Sequence, residues 1–204
     1  MTITSIEPTK DKKMMRIFID NRYAFSIPSD EYIRNHLYEE EEISEEKLEH
    51  IKKNVLVRAA REKAVRFLIA RDRSEGEIIQ KLIDAGFDRD VANCAAEELK
   101  AIGYIDDCRY AMKYIAERIR DKALSKKALR YELERKKISA DIIEQVLSEF
   151  ETNDEEVALR AARKKFGKYD LDDAKIQQKL FRFLFHRGFS HDIVKKVLNI
   201  LKNE

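Results

Sequence analysis

From about residue 55 to the C-terminus, apolar residues recur at spacings of three and four, the pattern of helices that each bury one stripe. A shift of 51 residues lays this pattern over itself. Leu82, Leu133 and Leu184 align, as do Ile78, Leu129 and Leu180 one turn earlier. Four residues after the leucines come Gly86, Lys137 and Gly188, then Phe87, Ile138 and Phe189, then Asp90, Asp141 and Asp192. The next helix repeats as Val91, Ile142 and Ile193, then Ala95, Val146 and Val197, then Leu99, Phe150 and Leu201. The glycines fall where a helix must stop, because glycine takes a positive φ without steric penalty. Lys137 in that place leaves room for a different turn in the middle unit. The aspartates suit the dipole at the start of each unit's third helix. A leading helix precedes each pair, over 58–70, 109–119 and 155–166.

Ahead of the repeats, residues 1–13 are polar and expected to be loose. Residues 14–19 and 22–27 are β-prone runs around Asp20-Asn21 and predict a hairpin with Tyr23, Phe25 and Ile27 on one face. Pro28 ends the second strand. Ser29 is expected to cap a helix running to about Tyr38, and the like-charged run 39–42 to form a solvated joint. Ser44, ahead of Glu45 and Glu46, predicts that a helix restarts there. A lone hairpin is marginally stable, so this segment must pack on a helix. The predicted fold is mainly α: three tandem three-helix, helix-turn-helix-like repeats in an elongated, curved array, with a small N-terminal β-hairpin plus helix extension. The expected divisions are 1–53 for the extension and 54–105, 106–152 and 153–204 for the repeats.

Composition agrees with helices and narrows the chemistry. The chain is 44% hydrophobic and 39% charged, with only 5 glycines and 2 prolines to break helices. No apolar run reaches about 18 residues and no signal-like start is present, so a cytoplasmic protein without a membrane span is expected. Cys94 and Cys108 form no CxxC and are expected as buried, reduced thiols. The net charge of +2 is unevenly spread, from −3 over 1–53 and −2 over 54–107 to +3 over 108–153 and +4 over 154–204. An acidic front and a basic back suit a charged partner.

Two local patterns stand out. In the first, Ala64-x-x-Phe67-Leu68 runs to Arg71-x-Arg73-Ser74, and Ser74 with Glu77 makes a capping box. In the second, Gly103 stops a helix, Tyr104 and Ile105 are placed to pack between units, Asp106 or Asp107 caps the next helix, and Arg109-Tyr110-Ala111 follow. Together these motifs resemble the RecX family of recombinase regulators. The resemblance covers nearly the whole chain. Members often carry glycine where this chain has Ala123-Leu124-Ser125, which puts the local turn in question. The resemblance implies a protein that binds the RecA–DNA filament in its helical groove and limits RecA's strand exchange, ATPase and co-protease activities, with no catalytic residues of its own.

An elongated scaffold in such a groove needs cations that displace counterions from phosphate or pair with acidic protein surface. The candidates are Arg71 and Arg73 in the first repeat; Arg118, Arg120, Lys122, Lys126, Lys127 and Arg130 in the second; and Arg160, Arg163, Lys164, Lys165 and Lys168 in the third. Asp106 and Asp107 lack the partner carboxylates of a metal site, and the four histidines match no zinc spacing. No P-loop, GxGxxG or GxSxG occurs, so no cofactor, metal or enzymatic role is expected. The expected partners are the RecA filament and, weakly or through it, single- or double-stranded DNA, met by a monomer. A direct DNA-binding protein and a helical scaffold with a protein partner alone are the alternatives.

Overall fold

The computed structural model describes residues 1–150 and 153–203, so the expected end of the second repeat at 151–152 lies outside the described residues. Contacts divide the chain into two compact units, Met1–Asp106 and Asp107–Glu204.

The first unit begins with an antiparallel sheet in the order β1-β2-β3, formed by Ile3–Pro8, Met14–Ile19 and Arg22–Pro28. The β2–β3 hairpin turns at Asp20 and Asn21, both at positive φ, as a tight two-residue turn requires. Residues 1–13 are not loose, contrary to the sequence reading. Ile3 is fully buried opposite Ile19, and a register shift between Ile3 and Ser5 hides the alternation that would have marked the strand. The acidic run 39–42 is likewise more than a solvated joint. Its side chains lie mainly outside, but its backbone closes the free edge of β1: Ile3 N–H donates to Glu41, Glu40 N–H to Ile3, and Ile43 N–H to Met1. The Glu39 carboxylate accepts from Ile6 N–H at 2.9 Å.

Helix α1 spans Ser29–Arg34 and stops well short of Tyr38, with His36 at positive φ. Ser29 does not cap it; its hydroxyl instead donates to the Lys12 carbonyl at 2.7 Å and ties the helix start to the β1–β2 turn. The buried carboxylate of Glu31 is satisfied by Arg34 and Arg58, each at 3.1 Å. Ser44 caps α2 (Glu45–His50), accepting from Lys47 N–H. A π-helical stretch, Ile51–Leu56, continues it without a break into α3 (Val57–Ala70). Helices α4 (Glu75–Asp84) and α5 (Arg89–Ala101) complete the first three-helix module, and the sheet shares one apolar core with it.

The second unit carries two modules, α6 (Asp107–Lys122), α7 (Lys126–Arg135) and α8 (Ala140–Glu149), then α9 (Asp154–Phe166), α10 (Ala174–Phe185) and α11 (His191–Lys202). Each has its own core. The aligned leucines Leu82, Leu133 and Leu184 are all fully buried. Such burial contributes about 1.5–3 kcal/mol per side chain. Ser74 and Glu77 form the expected capping box. Lys137, by contrast, does not make a different turn. It takes φ +60 beside Gly86 at +96 and Gly188 at +83, because the Schellman-type helix ending demands a left-handed residue there whatever its side chain. Ile105 packs into the first unit's core, whereas Tyr104 is mostly exposed. Asp106 precedes α6 and Asp107 is buried in its first turn. The thiols are free, but Cys94 is exposed and Cys108 only half-buried; Cys94 falls on the face of α5 opposite Ala92, Ala95 and Ala96.

The sheet is fastened to the α4–α5 turn by one aspartate. Asp88 stands at the N-cap of α5 without capping it. Its carboxylate accepts from the Tyr23 hydroxyl at 2.5 Å and from Ser26 N–H at 3.3 Å. Burial of the hydroxyl, then the bond to Asp88, pushes the Tyr23 pKa up from 10.0 to about 12. The folded chain thus holds this proton more tightly than the unfolded one. Its contribution to stability is complete below pH 10 and is lost as pH rises toward 12. Urea midpoints measured across that range should fall for the parent chain and fall less steeply for Tyr23→Phe; parallel curves would disprove the linkage.

Candidate polyanion-binding cleft

The sequence-predicted cations separate into three groups. Arg73 and Arg118 are engaged within the fold, and Arg130 is held in an ion pair at its surface. Arg73 Nε donates to the Phe67 carbonyl at the end of α3. Arg118 lies over the Tyr114 ring and donates to the Tyr114 hydroxyl and, at 2.7 Å, to Glu132. Arg130 pairs with Glu144 through both terminal nitrogens. Arg71 is a surface residue paired with Glu77. Lys126 contributes its backbone, whose N–H donates to Asp154 and joins the two modules of the second unit. Lys127, Arg163 and Lys168 are exposed.

The remaining five converge. Arg120 and Lys122 at the end of α6 face Arg160, Lys164 and Lys165 of α9 across a cleft of about 890 Å³, floored by Ala116, Ile119, Ala123, Ala161 and Phe150. Among the described residues only one carboxylate lines it, that of Asp121, which is engaged by Arg120 at 2.9 Å. The clefts of the first unit are different. One sets five cations against five carboxylates, and another balances Lys52 and Lys53 with Asp88 and Asp90. Uncompensated positive charge over an apolar floor focuses potential on an anion, and it does so only in the second unit's clefts among those described.

Local sequence explains how the cleft is held. Ala123, where glycine was the expectation from the family pattern, takes φ +50 and turns the chain sharply from α6 into α7. Ser125 is fully buried, caps α7, and donates its N–H to the Arg187 carbonyl at 3.0 Å. Arg187 is the residue that the sequence did not reveal. It sits in the α10–α11 turn beside Gly188, a place read only for its backbone conformation. Its Nε donates to the Lys122 carbonyl at 2.8 Å, and its guanidinium lies 3.7 Å from the centre of the Phe183 ring. Burial lowers its pKa without threatening its charge. Lys165 Nζ stands 4.3 Å from the same ring, so Phe183 orients two cations at the cleft wall.

Among the described residues, no helix is long and apolar enough to cross a membrane. Comparison with known proteins gives one consistent result. The first, second and third three-helix domains of RecX match residues 60–99, 106–147 and 153–198. The regulatory protein RecX of Clostridium botulinum (strain Eklund 17B / Type B) is 32% identical over 201 residues, covering 96% of this chain and 94% of the relative. That of Clostridium acetobutylicum is 32% identical over 210 residues, covering 100% and 97%. A crystal structure of regulatory protein RecX superposes with a TM-score of 0.62 at 24% identity over 100% of this chain and 99% of the other. The RecX structure from Lactobacillus salivarius gives 0.63 at 23% identity over 74% and 99%. Three domain matches in tandem, with full-length relatives above 30% identity, settle the family: this chain belongs to the RecX family of regulatory proteins.

Proposed function

We propose that this protein binds the RecA–DNA filament and restrains RecA's strand exchange, ATPase and co-protease activities. It acts in the cytoplasm, as a monomer and without chemistry of its own. The observation that carries the reading is the uncompensated cationic cleft between α6 and α9 in a chain of this family. Its lining matches a partner that displays phosphate or carboxylate. In this reading the three modules spread weak contacts over many repeats of the partner.

ATP turnover by RecA on single-stranded DNA, measured with increasing amounts of this protein, should fall in a saturable way. Turnover unaffected at micromolar protein would remove the filament as its target. A second reading, direct DNA binding without a recombinase, is favoured by the same cleft and is separated by affinity. Tighter binding to RecA-coated than to bare DNA supports the regulator; equal or tighter binding to bare DNA supports the alternative.

A further inference from the structure

The cationic cleft does not end at Phe183. A second lobe of about 440 Å³ lies beyond it, and Lys165, Phe183 and Arg187 line both. These three residues therefore form a ridge between two basic hollows. The second lobe adds Lys179 and Arg182 from α10, and among the described residues no carboxylate lines it. It also adds an aromatic that the filament reading does not use. Tyr169 stands in the turn after α9, is 58% exposed, and is backed by Phe166 with ring centroids 6.2 Å apart. Its backbone N–H donates to the Phe166 carbonyl at 2.9 Å, which fixes the turn that presents it.

We propose that the two lobes form one track for a single strand of nucleic acid, which crosses the Lys165–Phe183–Arg187 ridge with its phosphates against the cations and one base stacked on Tyr169. Three arguments select this occupant. A cation-lined groove with an exposed, supported aromatic ring is the arrangement that binds unpaired strands, because every base offers a face to stack. A duplex keeps its bases stacked on each other and has none to give Tyr169. Hollows of this size also fall in the range of small-ligand sites and are far too narrow to enclose a duplex. An acidic peptide would satisfy the cations but leave the ring without a partner. Arg187 suits the ridge: two of its five N–H donors are held by the Lys122 and Phe183 carbonyls, which aims the guanidinium and leaves three donors for phosphate.

This proposal rests on reading the α6–α9 cleft as a polyanion contact, but it does not require a recombinase. The test is fluorescence anisotropy of the full-length protein with a labelled oligothymidine, with a duplex of the same length, and with unlabelled tripolyphosphate and polyglutamate as competitors. Tyr169→Ala should weaken strand binding about 5- to 100-fold with its salt slope unchanged, as loss of one stacked base predicts. Tyr169→Phe should bind like the parent. Lys179→Gln with Arg182→Gln should lower the log–log salt slope by about 1.4. Thermal midpoints matching the parent confirm that the variants fold. Equal binding of duplex, displacement by tripolyphosphate or polyglutamate at equivalent charge, or parental affinity of Tyr169→Ala would each overturn the track. RecA turnover measured with the same variants keeps the two readings apart: strand binding without an effect on RecA would sink the filament reading alone, and an effect on RecA beside parental strand affinity of Tyr169→Ala would sink the track alone.

Discussion

Replacing Arg160, Lys164 and Lys165 together by glutamate should weaken binding to the RecA–DNA filament on the order of 100-fold at low salt and reduce the log–log salt slope by about 2, the value for three lost contacts to single-stranded phosphate. The three side chains line one wall of the α6–α9 cleft and are exposed, so the reversal leaves the cores untouched. Among the described residues, no carboxylate forms an ion pair with them, so in this cleft their charge is open to a partner. Two controls give the result its meaning. Lys127→Glu with Lys168→Glu alters two equally exposed cations that do not line the cleft, and should change affinity by no more than the shift in net charge predicts. Arg118→Glu and Arg130→Glu should instead lower thermal stability, because each would set a carboxylate against its present partner, Glu132 or Glu144. A triple variant that binds with the parental salt slope would move the contact surface off this cleft.

That experiment also marks how far the sequence could be read. The repeat was legible because Leu82, Leu133 and Leu184 are each buried in the core of their own module, and the apolar spacing of three and four that buries them recurs at a shift of 51 residues. Lys164 and Lys165 were legible as charge density. What charge density could not show is which cations the fold consumes. Arg118 and Arg130 each meet a glutamate 14 residues further along, brought into reach by packing between consecutive helices that no local spacing encodes. Arg187 and Phe183 stayed hidden for the converse reason. They looked like turn and stripe residues, and they became a cleft wall only when the α10–α11 turn docked on the end of α6. The strand β1 was lost to its register shift. The left-handed turns at Lys137 and Ala123 were missed because backbone strain at a non-glycine residue is set by what holds the chain on either side.

Those strained turns lead to the largest expected change in stability. Three glycines take positive φ, and substitution by alanine should rank them by what the new methyl meets. At Gly103 nothing lies within 4 Å, so only the conformational penalty of about 1 kcal/mol applies. At Gly86 a Cβ comes 2.8 Å from Met14 Cγ, which is flexible enough to move aside, and the cost rises modestly. At Gly188 a Cβ stands 2.5 Å from Ser125 Oγ and 2.8 Å from Ala128 Cβ, on a fully buried serine that caps α7 and on its first turn. Neither can retreat, so strain, overpacking and a damaged cap act together, for about 3–4 kcal/mol in all. Urea midpoints with parental m-values would measure this order. The opposite sign is expected at Ala123→Gly, which relieves a left-handed alanine and should raise stability by up to about 1 kcal/mol. Gly188→Ala should also weaken filament binding beyond its effect on folding, because the Gly188 turn seats the Arg187 carbonyl on Ser125 and so fixes the cleft wall. If Gly188→Ala proves no more costly than Gly103→Ala, the close docking of the α10–α11 turn against α7 is wrong, and the cleft built on it loses its wall.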